Sequence, residues 1–484
     1  MEKEGFSIRF QPTNFFQRND KMKKLTTLLL AAGMVFAASA PASAVDVKMD
    51  GSYLFQFTQG AGKNFDSSKF DQEMQMVRIG MTFAVSEQLS GYIQTHSTWD
   101  WGRTDETENG RDGLGSHPDM YLRQAYIDWL IPQTDVKVRM GRQLLALPGL
   151  ANGKNPALWW SDPADGVAID APVTDWLSLS AWWARYSRVG DNYDTHLSNA
   201  VDVFALAADF SYFDGFRFQP FFAFAAQGDN TMAESENGTA NALLPGLSDI
   251  YFHDGVKSAD KGAIENNTYW LGFTGTMTYF DPFQAKLGFM YGDRDFRGTE
   301  GAEKPSQHGY FVDAAVSYKT AYGTPELLAF YGSGDDSDVQ YAYQENMPSL
   351  VGRFKGSYGF FNGSNLEDNN LQNNHTGMGL WGVRAAWKNI SFIEDLSHEF
   401  AVMYAQGTND KANMDFGIAP HKYMTTEDSV VELDFSTTYN IYKNLSAYLE
   451  AAYVFEDFDN NVQMGRASSY DDAWKVALQF VYKF

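Results

Sequence analysis

The run Val77-Arg-Ile-Gly-Met-Thr-Phe83 sets an ionised side chain inside an apolar alternation. Arg78 shares its parity with Gly80 and Thr82, against Val77, Ile79, Met81 and Phe83, so on a strand it must turn away from the apolar face. The same argument puts Asp100, Asp313, Glu432, Asp434 and Glu450 on the polar faces of their own segments. Fixed charges in such rows need no bond chemistry; they set a field for whatever passes along the polar face. No catalytic group is expected. The eight His show no metal-ligand spacing, so no metal or other cofactor is expected either. The acidic runs Asp335-Asp336-Ser337-Asp338 and Glu456-Asp457-Phe458-Asp459 lack the ligand order of an EF-hand and read as solvated loop charge.

The elements that must hold these charges are long strands. From Val431 to Ile441 one parity reads Val431, Leu433, Phe435, Thr437, Tyr439 and Ile441, and the other Glu432, Asp434, Ser436, Thr438 and Asn440. Tyr269 to Tyr279 and Ala285 to Tyr291 repeat the pattern. The chain also ends on it, with Trp474, Val476, Leu478, Phe480, Tyr482 and Phe484 opposite Lys475, Ala477, Gln479 and Lys483. Soluble sandwich strands usually have about five or six residues. These have about ten or more, enough to cross a bilayer at a tilt.

Short connections (Ser86-Glu87-Gln88, Pro132-Gln133-Thr134, Asp214-Gly215, Asp281-Pro282, Lys443-Asn444) alternate with long polar ones such as 229–266 and 332–376. The fold class predicted is therefore all-β, a transmembrane antiparallel β-barrel of about 18 strands. Sixteen is the fallback if the short strand at Gly166 to Ile169 and one neighbour are misread.

Composition agrees. The 484 residues include no Cys, 42 Gly and 15% aromatics, with 61 acidic against 37 basic residues. That acidity disfavours nucleic acid as a partner. Met22-Lys23-Lys24, the apolar run Leu28 to Ala38 and Ala42-Ser43-Ala44 read as the three regions of a signal peptide over 22–44. Residues 1–21 fit none of those regions and read as a start-site extension, so the barrel is expected over 45–484. The first strand begins almost at Val45, leaving no N-terminal plug. Export of this kind points to the bacterial outer membrane, with its lipid and lipopolysaccharide as surroundings.

Two stretches carry a family resemblance. Met74 to Trp101 and Tyr121 to Gln143 resemble strand hairpins of Gram-negative general diffusion porins, and the architecture looks most like the homotrimeric porins of sulfate-reducing bacteria. The resemblance implies Arg78, Arg123 and Arg142 at a pore constriction. It also implies that Leu144 to Gly166 folds inward as the constriction loop, carrying Lys154, Asp162 and Asp165. The family's acids near the middle of that loop have no counterpart here, and neither does a third arginine after it. Phe480, Tyr482 and Phe484 resemble the signal read by barrel-assembly machinery.

Around Tyr121 to Leu130 the alternation blurs, since Leu122, Gln124, Tyr126 and Asp128 share one side. Packing on another subunit accounts for that, with a bulge as the alternative. The resemblance implies a homotrimer with a water-filled pore for passive diffusion of small hydrophilic solutes and ions. Its charges suggest a mild cation preference that fades with salt. A substrate-specific channel for sugars or organic anions is the alternative, with Tyr92, Trp182, Trp270 and Phe311 as lumenal aromatics. His196-x-Ser198-Asn199 resembles the His-x-Ser-Asn-Gly segment of outer-membrane phospholipases, but Ala200 replaces the Gly.

Export gives the first expected outcome. N-terminal sequencing of protein isolated from outer membranes should begin at Val45, and retention of residues 1–44 would contradict the signal-peptide reading.

Overall fold

The structure is a computed structural model that describes residues 45–101, 120–159, 163–188, 200–228, 265–297, 306–337, 343–361, 363, 366, 371, 376–412, 423–459 and 470–484. The alternating segments form β1 (Asp46–Ala61), β2 (Lys69–Ser86), β3 (Leu89–Asp100), β4 (Met120–Leu130), β5 (Lys137–Gln143), β6 (Ala164–Thr174), β7 (Leu177–Arg188) and β8 (Ala200–Phe210). They continue as β9 (Phe216–Gln227), β10 (Glu265–Met277), β11 (Phe283–Arg297), β12 (Ser306–Tyr318) and β13 (Thr324–Gly332). A two-residue β14 (Tyr343–Gln344) lies in the connection that follows. Then come β15 (Leu380–Ile393), β16 (Leu396–Gly407), β17 (Ser429–Tyr442), β18 (Leu445–Asp457) and β19 (Ala473–Lys483).

Each wall strand pairs antiparallel with its neighbours in the chain, and β1 pairs with β19 from Ser52↔Lys483 to Ala61↔Trp474. The wall is thus a closed 18-strand antiparallel β-barrel, with β14 standing outside it. Closure leaves no edge of unpaired N–H and C=O groups, each of which would cost several kcal/mol in hydrocarbon. The segment expected as a short strand at Gly166 to Ile169 is the middle of the 11-residue β6.

At the seam Gly51 and Phe484 exchange backbone hydrogen bonds of 3.0 and 3.1 Å. A Cβ at position 51 would lie 2.4 Å from the Phe484 ring, so glycine is what lets the terminal aromatic lie across the joint.

The outer face is apolar along the strands, where Leu271, Leu287, Phe400, Val402 and Leu433 are exposed. The short turns at one end carry a belt of exposed aromatics, among them Trp176, Tyr212, Tyr279, Phe280, Tyr322 and Tyr442. An apolar band edged by aromatic rings is the surface a bilayer selects.

The blurred alternation in β4 has a local cause. Gln94 pairs with Gln124 but Thr95 pairs with Leu122, so Arg123 is one residue too many for its partner strand. This bulge shifts the parity.

Candidate functional site

The interior is built from the wall inward. The segment after β5 turns into the barrel and buries Leu147, Leu150, Ala157 and Leu158 against inner-face residues of β8 to β12, including Val203, Phe221, Met290 and Phe311. Its tip is tied to β12 by Asp313. Asp313 Oδ1 accepts the Ala151 N–H at 2.9 Å, and Oδ2 accepts the Asn152 N–H at 2.9 Å and its side-chain amide at 2.7 Å. The Thr274 hydroxyl donates to the Gly149 carbonyl at 2.7 Å. Gly288, opposite Asp313 in the register, leaves room for this approach; a Cβ there would lie 2.6 Å from Leu150 Cβ.

A second segment, 345–361, also folds inside, which the sequence did not signal. It lies along the first: Trp159 N–H donates to the Val351 carbonyl at 2.9 Å, Leu350 N–H to the Ala157 carbonyl at 2.9 Å, and Arg353 N–H to the Asn155 carbonyl at 2.8 Å. The opposite wall holds it. Glu432 accepts the Ser357 hydroxyl at 2.5 Å and the N–H groups of Gly359 and Phe360 at 2.6 and 3.0 Å. Asp434 accepts the Tyr358 N–H at 3.3 Å. The fully buried Arg294 spans Thr268, Gln307 and the Ser349 carbonyl at 3.0 to 3.2 Å. Rings of Phe311, Phe330, Phe354 and Phe361 pack with centroids 4.6 to 6.4 Å apart.

The space left runs beside β2 to β7, where inner-face residues such as Thr82, Gln94, Thr98 and Trp182 stay half-buried. Arg78 Nε donates to His96 Nδ1 at 2.9 Å, so that nitrogen carries no proton and Nε2, 2.6 Å from Thr98 Oγ1, does. Arg123 Nη1 donates to Gln94 Oε1 at 2.9 Å. Arg78 and Arg123 are thus brought together across β2 to β4. His96 was missed, although it stands directly opposite Arg78. Lys154, on the inward loop, has its ammonium 4.4 Å from the Trp159 ring centre, and burial together with the Arg353 guanidinium pushes its pKa down.

Other expected site residues lie elsewhere. Arg142 follows the parity of Met140, on the outer face, and its Nη1 lies 3.4 Å from Asp165, which faces outward too. Neither stands at the constriction, because β5 keeps strict alternation from Lys137 to Gln143. Asp162, His196, Ser198 and Asn199 lie outside the described residues. Asp313, Glu432, Asp434 and Glu450 are on the inner parity but buried, so they do not line open water. Asp100 is half-buried and accepts the Gln72 side-chain amide at 2.8 Å.

Trp270 and Phe311 are sealed under the loops, whereas Tyr92 and Trp182 keep half-exposed rings. Asp335 is buried, not solvated. It accepts the Glu345 N–H at 2.6 Å and the Tyr423 hydroxyl at 3.0 Å, and burial pushes its carboxyl pKa up. Among the described residues no group of three or more His, Asp or Glu is gathered as a metal site.

No protein-family model matches the chain. Solved structures do. Pseudomonas aeruginosa OprE (OccK8) aligns over 91% of this chain and 98% of its own, with TM-score 0.52 and 12% identity. P. aeruginosa OpdK, solved with vanillate, covers the same shares with TM-score 0.53 and 11% identity. P. aeruginosa OpdF (OccK2), in complex with glucuronate, does so with TM-score 0.51 and 11% identity. At such identities the likeness is one of fold.

Asp313→Ala removes the acceptor for three loop hydrogen bonds. With each bond to a charged group contributing about 1.5 to 3 kcal/mol, the variant should keep a folded barrel but release the Ala151–Asn152 tip. Single-channel recording should find larger and noisier conductance; wild-type conductance and noise would contradict the anchoring role.

Proposed function

We propose that the chain is an outer-membrane porin that conducts small hydrophilic solutes and ions by passive diffusion. The observation that carries this reading is a closed barrel, apolar outside, whose interior is narrowed by two inward segments beside a polar arc. A channel for particular solutes fits the same geometry, and the vanillate and glucuronate bound to similar barrels favour that refinement. An outer-membrane location is supported by the barrel's surface and by its likeness in fold to OpdK, which is named an outer membrane protein. An enzymatic role draws no support from the described residues.

The finer resemblance, to homotrimeric porins of sulfate-reducing bacteria, is part of this proposal. It rests on the architecture as a whole, while residues 74–101 and 121–143 carry the likeness to general diffusion porins. Trimer contact gains support from charges on the outer parity: Arg142 with Asp165, and Arg185 bound to Asp202 at 2.8 and 2.9 Å. An outward arginine at the bilayer midplane costs about 2 to 4 kcal/mol against lipid, and another copy of the chain can supply a less hostile surface. Phe480, Tyr482 and Phe484 serve, in the same proposal, as the assembly signal.

Selectivity follows from which charges meet water. Four of the five acids expected to line the pore, Asp313, Glu432, Asp434 and Glu450, are buried at 0 to 4% exposure, so the cation preference expected from them weakens. Charges farther from the passage than a screening length of about 8 Å at 0.15 M salt are damped. The half-buried Arg78 and Lys154 then dominate the narrow region, with Arg123, 8% exposed, contributing from the wall beside Arg78. Reversal potentials under a salt gradient should give a weak anion preference at low salt, shifted toward cations with larger conductance in Arg78→Ala/Arg123→Ala. No change in either quantity would remove these arginines from the passage.

A further inference from the structure

A cavity of about 420 Å³ opens from the passage on the turn side of the first inward segment. Its roof is Leu145 to Gly149 with Trp159, and its wall is the inner face of β5 to β9. The volume falls within the range of roughly 300 to 1,000 Å³ typical of small-molecule sites. Nothing in the pore reading requires a pocket here.

Its lining has a definite chemistry. Trp182 stands between Ala168 and Ala205 in the register, neighbours too small to cover its ring, and it remains half-buried. Trp159 contributes a second indole, held in place by its pairing with Ala146 and by its bond to Val351. Ser180, Asp170 and Gln219 supply hydroxyl, carboxylate and amide groups.

The charges balance. Arg139 binds Asp128 through two bonds of 2.6 and 2.7 Å, with its guanidinium 3.9 Å from the Tyr126 ring centre. Lys137 stands opposite Asp170 in the register and 3.8 Å from Asp128. Lys137 and Arg139 are thus offset by Asp128 and Asp170, and burial disfavours the charge of Lys154 beside Trp159, so the pocket exerts little net field on an ion. Flat aromatic faces beside paired donors and acceptors suit instead a neutral molecule with apolar C–H faces and many hydroxyls.

We propose that this pocket is a lumenal subsite for neutral sugars or polyols, which refines the solute class of the porin proposed above and rests on that reading. Solute entering from the passage stacks on Trp182 and exchanges hydrogen bonds with Asp170, Ser180 and Gln219. Residence there makes flux of such solutes saturable while small ions pass along β2 to β4.

The test is single-channel current of the purified protein in planar bilayers, titrated with maltose and, separately, with glucuronate. Maltose should reduce the current along a saturating curve. Trp182→Ala should raise the half-blocking concentration about tenfold, and Gln219→Ala, a smaller change two strands away on β9, should raise it several-fold. A current that falls only in proportion to solution viscosity overturns the subsite. So does a maltose block indifferent to both substitutions, or glucuronate blocking tenfold more tightly than maltose, which would mark an anion site. Failure to form any conducting pore would sink the porin reading itself; a conducting pore without saturable block sinks the subsite alone.

Discussion

A carboxylate buried on the inner face of a β-barrel must find hydrogen-bond donors, and a loop folded inside must find acceptors for its backbone N–H groups. Each left alone is unfavourable by several kcal/mol. In this chain the two demands answer each other. Asp313 takes the Ala151 and Asn152 amides, and Glu432 takes those of Gly359 and Phe360. The two segments so anchored, from opposite parts of the wall, meet at Trp159 and Val351. Everything else about the interior follows from that docking, including which wall strands stay in contact with water.

The wall acids therefore act as structure more than as a field. Their burial leaves Arg78 on the wall and Lys154 on the inward loop as half-buried cations, with His96 and Arg123 packed beside Arg78. Packing density does the rest: among the described residues the rings of Phe311, Phe330, Phe354 and Phe361 fill the opposite half.

Parity made the wall legible. Alternation in Val431 to Ile441 and Trp474 to Phe484 identified inner and outer faces correctly, because period two follows from strand geometry alone. It could not tell an inner face wetted by solvent from one covered by a loop, so Lys475, Glu432 and Asp313 have the expected parity but are buried. Arg142 was misread by family likeness against its own alternation with Val138 and Met140. Arg123 was obscured by the bulge, since one extra residue reverses the pattern. The inward segment 345–361 has no periodicity to betray it; its signal, clustered Phe and Gly in a polar connection, is legible only once the wall acids facing it are known.

With the two segments in place, water should reach the inner wall along β2 to β7 and be excluded from the loop-covered arc. The chain has no native cysteine, so single cysteines can report this directly. Thr82→Cys and Thr98→Cys on the open arc should react readily with a small charged methanethiosulfonate reagent and alter channel current, while Ala223→Cys and Ala405→Cys, both buried in the covered arc, should remain unreactive in the folded protein. Equal reaction at all four positions would mean that the two segments do not cover that arc of the barrel.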